Sequence, residues 1–299
     1  MNKNFPLGRR LLATLAVSAL LNPGSILAEE SEGIGETGTD PRDFAPKFMP
    51  YYRYTELENG LEQQEAVLFG LYAFDSKFAM TYEIPVAMER DVSDTPLKGI
   101  DPSGQNECGP GNLDPGVPGL PGGLPVGDGD CDETGVGDMN LRFMYRTDWD
   151  ALGGDWIIGA QFDFPTASED VLGSETFAAA PMFAYVKDLD FWPAPGAFFA
   201  AMNFYFTDVW KDDSREDVSS YVGRWFLMLP LHPSGIYMLP EFQPIYDFEE
   251  EEFSFWVGPE IGKLLAPGRI IYMKPGWGAD PGDPDRKFTF EVGFRYFMD

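Results

Sequence analysis

Phe288-Thr289-Phe290-Glu291-Val292-Gly293-Phe294-Arg295-Tyr296 alternates without a break between apolar and polar or small residues. In an extended chain Phe288, Phe290, Val292, Phe294 and Tyr296 fall on one face, and Thr289, Glu291, Gly293 and Arg295 on the other. A helix would scatter both sets around its circumference; a strand sorts them. One face is suited to hydrocarbon and the opposite face to water or paired charge.

The same sorting recurs upstream. In 78–89, Phe78, Met80, Tyr82, Ile84, Val86 and Met88 oppose Ala79, Thr81, Glu83 and Ala87. In 138–146, Met139, Leu141, Phe143 and Tyr145 oppose Asp138, Asn140, Arg142 and Arg146. In 156–164, Trp156, Ile158, Ala160, Phe162 and Phe164 oppose Gly159, Gln161 and Asp163. In 252–261, Phe253, Phe255, Val257 and Ile261 oppose Ser254, Gly258 and Glu260. Segments 47–57, 63–74, 175–187, 196–208, 217–230, 235–247 and 268–277 alternate less cleanly but match in length, which brings the strands to twelve. Period-two segments of this length, repeated an even number of times, predict an all-β, antiparallel up-and-down transmembrane β-barrel.

The connections supply an independent reason. Every second one is short or turn-like: Asp75-Ser76-Lys77, Leu152-Gly153-Gly154, Pro193-Ala194-Pro195-Gly196, His232-Pro233-Ser234-Gly235 and Ala266-Pro267-Gly268. Between them lie 91–135, 165–175, 208–217, 247–252 and 277–286, mostly longer and more acidic. Outer-membrane barrels have short periplasmic turns and long outer loops, and an even strand count leaves both termini in the periplasm. Trp149, Trp156 and Trp192 cluster near the short turns, and Trp210 and Trp277 near the long loops, like two aromatic belts. Residues 47–299 are therefore expected to form the barrel, with 91–135 its long outer loop.

Residues 1–28 read as a cleaved signal peptide. Lys3, Arg9 and Arg10 precede the apolar run Leu11 to Leu21, and Ile26-Leu27-Ala28 supplies the small residue for cleavage. Residues 29–46 read as a flexible periplasmic leader. Cleavage would move the formal net charge from −28 to −31, since the segment holds those three positive charges and no negative ones. Such acidity excludes a nucleic-acid partner, which needs clustered Lys and Arg. No later segment is long and apolar enough for a membrane helix, so the expected location is the bacterial outer membrane, with its lipid as partner. A soluble exported β protein is the minor alternative.

Cys108 and Cys131 are the only cysteines and share one Gly/Pro/Asp-rich stretch. Export places them in an oxidising compartment, so they are expected to pair, stabilising the loop by roughly 3 kcal/mol in the chain-entropy model. Asp128-x-Asp130-x-Asp132 begins like a calcium loop, but Glu133 stands for the turn glycine and Met139 for the closing Glu. The run Glu249-Glu250-Glu251-Glu252 reads first as a solvated charged surface; bridging by calcium or magnesium to surface lipid is the sharper reading. No zinc spacing and no phosphate-cradling glycine loop is present, so no metal site and no cofactor is expected.

Gly135-Val136-Gly137-Asp138-Met139-Asn140-Leu141-Arg142, continuing to Tyr145-Arg146, is followed by Phe164-Pro165-Thr166-Ala167-Ser168 and by Leu172-Gly173-Ser174 ahead of a strand with Pro181. This succession resembles the bacterial outer-membrane family named for the meta-pathway of phenol degradation, over roughly residues 45–297. The resemblance implies a twelve-stranded barrel and passage of small organic molecules.

Turning the apolar faces to lipid leaves charges inside, because Arg or Lys facing lipid at mid-membrane costs about 2–4 kcal/mol. The inward set is Arg53, Glu83, Arg142, Arg146, Asp163, Arg224, Glu241, Glu260, Lys274, Glu291 and Arg295. These five acids and six bases suit either a mixed-sign filter or a plug of ion pairs. Arg142, Arg146, Asp163, Glu241, Glu260 and Arg295 are expected nearest the middle of their strands. The first functional reading is a channel or diffusion pathway for small solutes, hydrophobic or aromatic ones if the resemblance is informative. The second is a structural or adhesive barrel presenting the 91–135 loop. An outer-membrane hydrolase ranks third: His232, the only histidine, sits in a turn two residues from Ser234, a poor arrangement for a base. Glu241 and Glu260 could in principle do acid–base work, but the nearby arginines favour ion pairs. No enzyme is expected.

Overall fold

The computed structural model describes residues 38–57, 62–91, 132–169, 172–211, 217–231, 234–279 and 286–298. The signal segment, Cys108, Cys131, Asp128, Asp130 and His232 lie outside the described residues, as does most of the 91–135 loop. Among the described residues no helix is long and apolar enough to cross a membrane; the crossing falls to strands.

In chain order these are β1 (Lys47–Glu56), β2 (Glu62–Ala73), β3 (Phe78–Asp91), β4 (Asp132–Gly135), β5 (Met139–Arg146), β6 (Asp155–Phe164) and β7 (Thr176–Asp188). They continue with β8 (Phe198–Lys211), β9 (Ser219–Leu231), β10 (Ile236–Asp247), β11 (Glu252–Ala266), β12 (Arg269–Ala279) and β13 (Phe288–Phe297). Sequence neighbours pair antiparallel except β4 and β5, which both pair with β3, and β1 pairs with β13 from Lys47 opposite Phe297 to Glu56 opposite Phe288. The sheet is therefore closed and leaves no edge. β4 and β5 are two pieces of one stave, since Met88–Asp91 of β3 faces Asp132–Gly135 and Phe78–Glu83 faces Asn140–Tyr145. The barrel has twelve staves. The paired strands extend the wall into the expected 91–135 loop at both ends, to Asp91 and from Asp132.

Inside and outside follow the pleat. On β13, Thr289, Gly293 and Arg295 are buried while Phe290 and Tyr296 are exposed. Ile158, Phe183, Tyr205, Trp225 and Ile261 are likewise exposed on the outer face, the apolar band that hydrocarbon wets. Two assignments from alternation are corrected. Ala87, expected inward, is exposed opposite Ala66. Met88 was expected on the lipid face with Met80 and Tyr82, yet it pairs with inward Glu65. Pro85, which has no N–H to donate, sits where two residues of β3 oppose one of β2, between Ala66 and Val67. The bulge reverses the faces beyond it.

The interior is not uniformly polar. Inward Met144, Ile157, Ala180, Met182, Ala184, Val186, Phe198, Ala200, Met202, Phe204, Phe226 and Met228 form one buried apolar cluster with Tyr237, Leu239 and Ile270. Small Ala on β7 and β8 faces bulky Met and Phe on neighbouring staves, as Ala184 faces Met202 and Ala200 faces Phe226. The cluster runs from β2 and β3 through β5 to β10 and on to Ile270 of β12. Phe44, from the segment before β1, is buried in it. Residues 38–46, expected as part of a flexible leader, are thus folded against the barrel interior.

Candidate functional site

The interior encloses a cavity of about 350 Å³ whose walls differ in chemistry. The lining carries Arg53, Glu83, Glu241, Glu260, Lys274, Glu291 and Arg295 on β1, β3 and β10 to β13, with Leu239 beside Glu241, and Met144, Met202 and Phe226 on β5, β8 and β9, where Arg142 and Arg224 also stand. Nine of the eleven expected lumen charges lie here. Asp163 and Arg146 do not. Arg146, the last residue of β5, lies in a depression at the short-turn rim with Asp40, Arg42, Asp75 and Asp155, where its Nη1 donates to the Arg42 carbonyl at 3.4 Å. The mid-strand position expected for it is corrected by that placement, and the same expectation for Asp163 and Arg295 is corrected by theirs, next to last in β6 and third from last in β13.

Three ion-paired groups make up the charged wall. Glu241 accepts from Arg224 Nε at 2.7 Å, Lys274 Nζ at 2.6 Å and Gln243 Nε2 at 2.6 Å. Glu260 takes both Arg295 guanidinium nitrogens, at 2.8 and 2.7 Å, and the Tyr237 hydroxyl at 2.6 Å. Arg53 lies between Glu291 at 3.2 Å, Glu65 at 3.4 Å and Glu83 at 3.8 Å, and Tyr51 donates to Glu83. Glu241 and Glu260 are each held by cations in separate groups, so the geometry joins them into no acid–base pair. Bidentate and charge-assisted bonds of this kind fix side chains in place.

Aromatic residues that alternation assigned to no site complete the wall. Tyr237, Tyr272 and Trp256 point inward, and Lys274 lies over the Trp256 ring at 5.0 Å and Arg295 over Tyr272 at 4.2 Å. They lie flat because the wall beneath lacks side chains: a Cβ on Gly262 would come within 2.1 Å of the Tyr237 ring, and one on Gly276 within 1.9 Å of Trp256. The legible signal was a glycine cross-strand from an aromatic, as Gly262 is from Tyr237 and Gly293 from Tyr272.

Arg142 is different. Its Nε and Nη2 both donate to Gln161 Oε1, at 3.0 and 2.7 Å, and its guanidinium stacks over Phe204 at 4.9 Å. Gln161 Nε2 in turn donates to Asp163 at 2.8 Å, which orients the amide.

At the short-turn rim, Arg42 binds Asp40 at 2.8 Å, Asp155 at 3.0 Å and Asp188 at 2.6 Å, tying the segment before β1 to β6 and β7. Burial alone would lower its pKa, but the bonds to Asp40, Asp188 and Asp155 outweigh it and hold the guanidinium above its usual range. Lys47, also unforeseen, is buried beside Asp43 and donates to the Asp43 carbonyl at 2.9 Å. Arg42→Met removes three ion pairs from this latch. It is expected to raise single-channel conductance at least twofold; conductance equal to the parent would show that the segment does not limit flow.

At the other end, Asp247 Oδ1 accepts the Glu249 and Glu250 amides, and the glutamates of the 249–252 run are exposed. Among the described residues no group of three or more His, Cys, Asp or Glu side chains is arranged to hold a metal.

No family model matches the chain, and no curated protein sequence matches it. Among solved structures it is similar to an outer-membrane channel from Pseudomonas putida F1, at 13% identity and a TM-score of 0.56, over 87% of this chain and 99% of that one. It is also similar to the KdgM porin, at 7% identity and a TM-score of 0.50, over 85% and 99% of the two chains. The same porin has been solved in complex with disordered oligogalacturonate, and that structure matches at 6% identity and a TM-score of 0.50. Similarity at this level establishes the fold, a closed outer-membrane-type barrel.

Proposed function

We propose that this protein is an outer-membrane diffusion channel for small solutes, with a preference for compounds that carry both an apolar body and a polar group. One observation carries the reading: a cavity inside a closed barrel, lined by ion-paired charges on β1 and β10 to β13 and by Met and Phe on β5, β8 and β9. Mixed walls of this kind select by orientation as well as size. The barrel fold shared with the Pseudomonas putida channel and the KdgM porin supports it, and so does the resemblance of the 135–146 and 164–174 motifs to the phenol meta-pathway family, which points toward hydrophobic or aromatic compounds. The role of the ion-paired groups is electrostatic and orienting; no covalent step is assigned to them. Pairing of Cys108 with Cys131, export by residues 1–28, and divalent cations at the 249–252 run belong to the same proposal.

The test is single-channel conductance of the purified, folded protein in planar bilayers. A measurable ohmic current is expected. Arg142→Glu reverses one charge at the cavity wall and is expected to shift the reversal potential in a salt gradient toward cation selectivity; an unchanged potential would remove Arg142 from the pathway.

A second reading has its own support. Phe44 and the inward apolar cluster pack together inside the barrel, as suits a closed barrel that serves as scaffold for the 91–135 loop. Absence of current both in the parent and in Arg42→Met would favour it.

A further inference from the structure

Five cations on the cavity wall are met by carboxylates, and Arg142 is not. Lys47 has Asp43, Arg53 has Glu65 and Glu291, Arg224 and Lys274 share Glu241, and Arg295 has Glu260. Arg142 has no carboxylate within ion-pair distance among the described residues. Its partner is the neutral carbonyl of Gln161, and its Nη1 makes no hydrogen bond to a described residue. Arg224, Glu83 and Asp163 act on it only at longer range.

The position is also amphipathic. Phe204 lies under the guanidinium, and Met144, Met202, Phe226 and Leu239 of the same apolar cluster line the cavity. Thr81, paired cross-strand with Arg142, lines the cavity too. Its hydroxyl is buried without a hydrogen-bond partner, on a residue only 4% exposed. A half-buried guanidinium with spare N–H donors and no carboxylate at ion-pair distance, beside a buried hydroxyl without a partner, is suited to receive an anion.

We propose that Arg142, with Thr81 beside it, binds the carboxylate of a small amphipathic acid whose ring or short chain rests against Phe226, Met202, Met144 and Leu239. Asp163 is a positioning residue: by holding Gln161 Nε2 it turns the amide oxygen toward Arg142. That leaves the guanidinium oriented but not neutralised. A fully hydrophilic acid forgoes the apolar wall, and a neutral aromatic forgoes the charge. The site therefore favours molecules that have both. This proposal deepens the channel reading and rests on it for its biological sense.

The experiment is titration calorimetry on the folded protein in detergent micelles, corrected with protein-free micelles. The probes are benzoate, benzyl alcohol (the same ring, neutral), and acetate and galacturonate (the same carboxylate without an apolar body). Benzoate is expected to bind saturably, at least about tenfold more tightly than the other three. Arg142→Met should bring benzoate down to the level of benzyl alcohol. Arg142→Lys, which keeps the charge and loses the fork, should retain an intermediate affinity, and Thr81→Val should weaken benzoate several-fold. Equal affinity for benzoate and benzyl alcohol in the parent protein would overturn the proposal. So would unchanged benzoate binding in Arg142→Met or, should that variant not fold by heat-dependent gel mobility, in both Arg142→Lys and Thr81→Val. Benzoate binding without any ionic current would keep the site and remove the channel reading; current without benzoate binding would do the reverse.

Discussion

Glu241→Ala is expected to lower the unfolding free energy of the barrel by about 3 kcal/mol, toward the lower end of the cost of breaking a buried ion pair. The carboxylate is buried between two cations and receives bonds from Arg224, Lys274 and Gln243. Its removal leaves two like charges on one wall, with the Lys274 side chain only 11% exposed. The Arg224 side chain is 35% exposed, so cavity water recovers part of the loss, which is why the upper end of the range is not expected. The check is equilibrium unfolding in urea from lipid vesicles, read by tryptophan fluorescence. A loss under 1 kcal/mol would mean that water enters this wall freely. Replacing all three charges at once (Glu241→Leu, Arg224→Met, Lys274→Met) should recover much of the stability, because the cost lies in the unmatched charges rather than in the missing pair. The single variant, with two cations unbalanced, should also turn the channel toward anions. The triple variant should not.

Asp138→Ala has the second large expected effect, and it is local. Asp138 Oδ1 accepts the amides of Thr166 and Ala167 at 2.9 and 3.0 Å, and Oδ2 accepts the Ser174 amide and hydroxyl at 2.6 and 2.8 Å. Around it, Val136 and Ser168 exchange bonds of 3.0 and 2.9 Å, and Thr166 Oγ1 accepts from Met139 N at 2.9 Å. The packing is close: a Cβ on Gly173 would lie 2.4 Å from Ala167 and 2.8 Å from Asp138. One carboxylate thus ties the β6–β7 connection to the β4–β5 stave. Bonds to a charged acceptor contribute about 1.5–3 kcal/mol each and do not sum fully. A local loss of about 3 kcal/mol raises the open population roughly a hundredfold. Limited proteolysis within 165–175 should accelerate accordingly, while the global urea midpoint moves little. Asp138→Asn should fall between, since its amide oxygen still serves Thr166 and Ala167 but its NH₂ faces the Ser174 N–H. Unchanged cleavage in the Ala variant would remove the knot from the account.

That knot also shows what a motif conveys. Gly135 to Arg142, Phe164 to Ser168 and Leu172 to Ser174 are three short stretches, none decisive alone. In the structure they are one object, with Asp138 at its centre and Leu172 buried beneath. Their joint occurrence was legible; their contact was not, because nothing in the residues states how the loops fold back.

The segments that alternated poorly have a physical explanation as well. In 47–57, 235–247 and 268–277 the inward face holds Tyr51, Tyr237, Leu239, Ile270 and Tyr272 beside Arg53, Glu241 and Lys274. Both faces are then partly apolar, and period two fades although the strand is intact. Apolar and charged residues share these inward faces because the lumen is partly a packed core and partly a polar cavity.

From the residues alone followed the number of staves, the order of short and long connections and, bulges aside, the face each side chain takes. These depend on the period of the pleat and on the cost of placing charge in hydrocarbon, both local properties. Which charges meet was decided only by closure. Lys274 on β12 reaches Glu241 on β10, and Arg295 on β13 reaches Glu260 on β11, each passing over an intervening strand. On a concave wall, side chains converge as they leave the sheet, so next-but-one staves come within bonding distance. The same convergence gave each of these cations a carboxylate and left Arg142 with an amide.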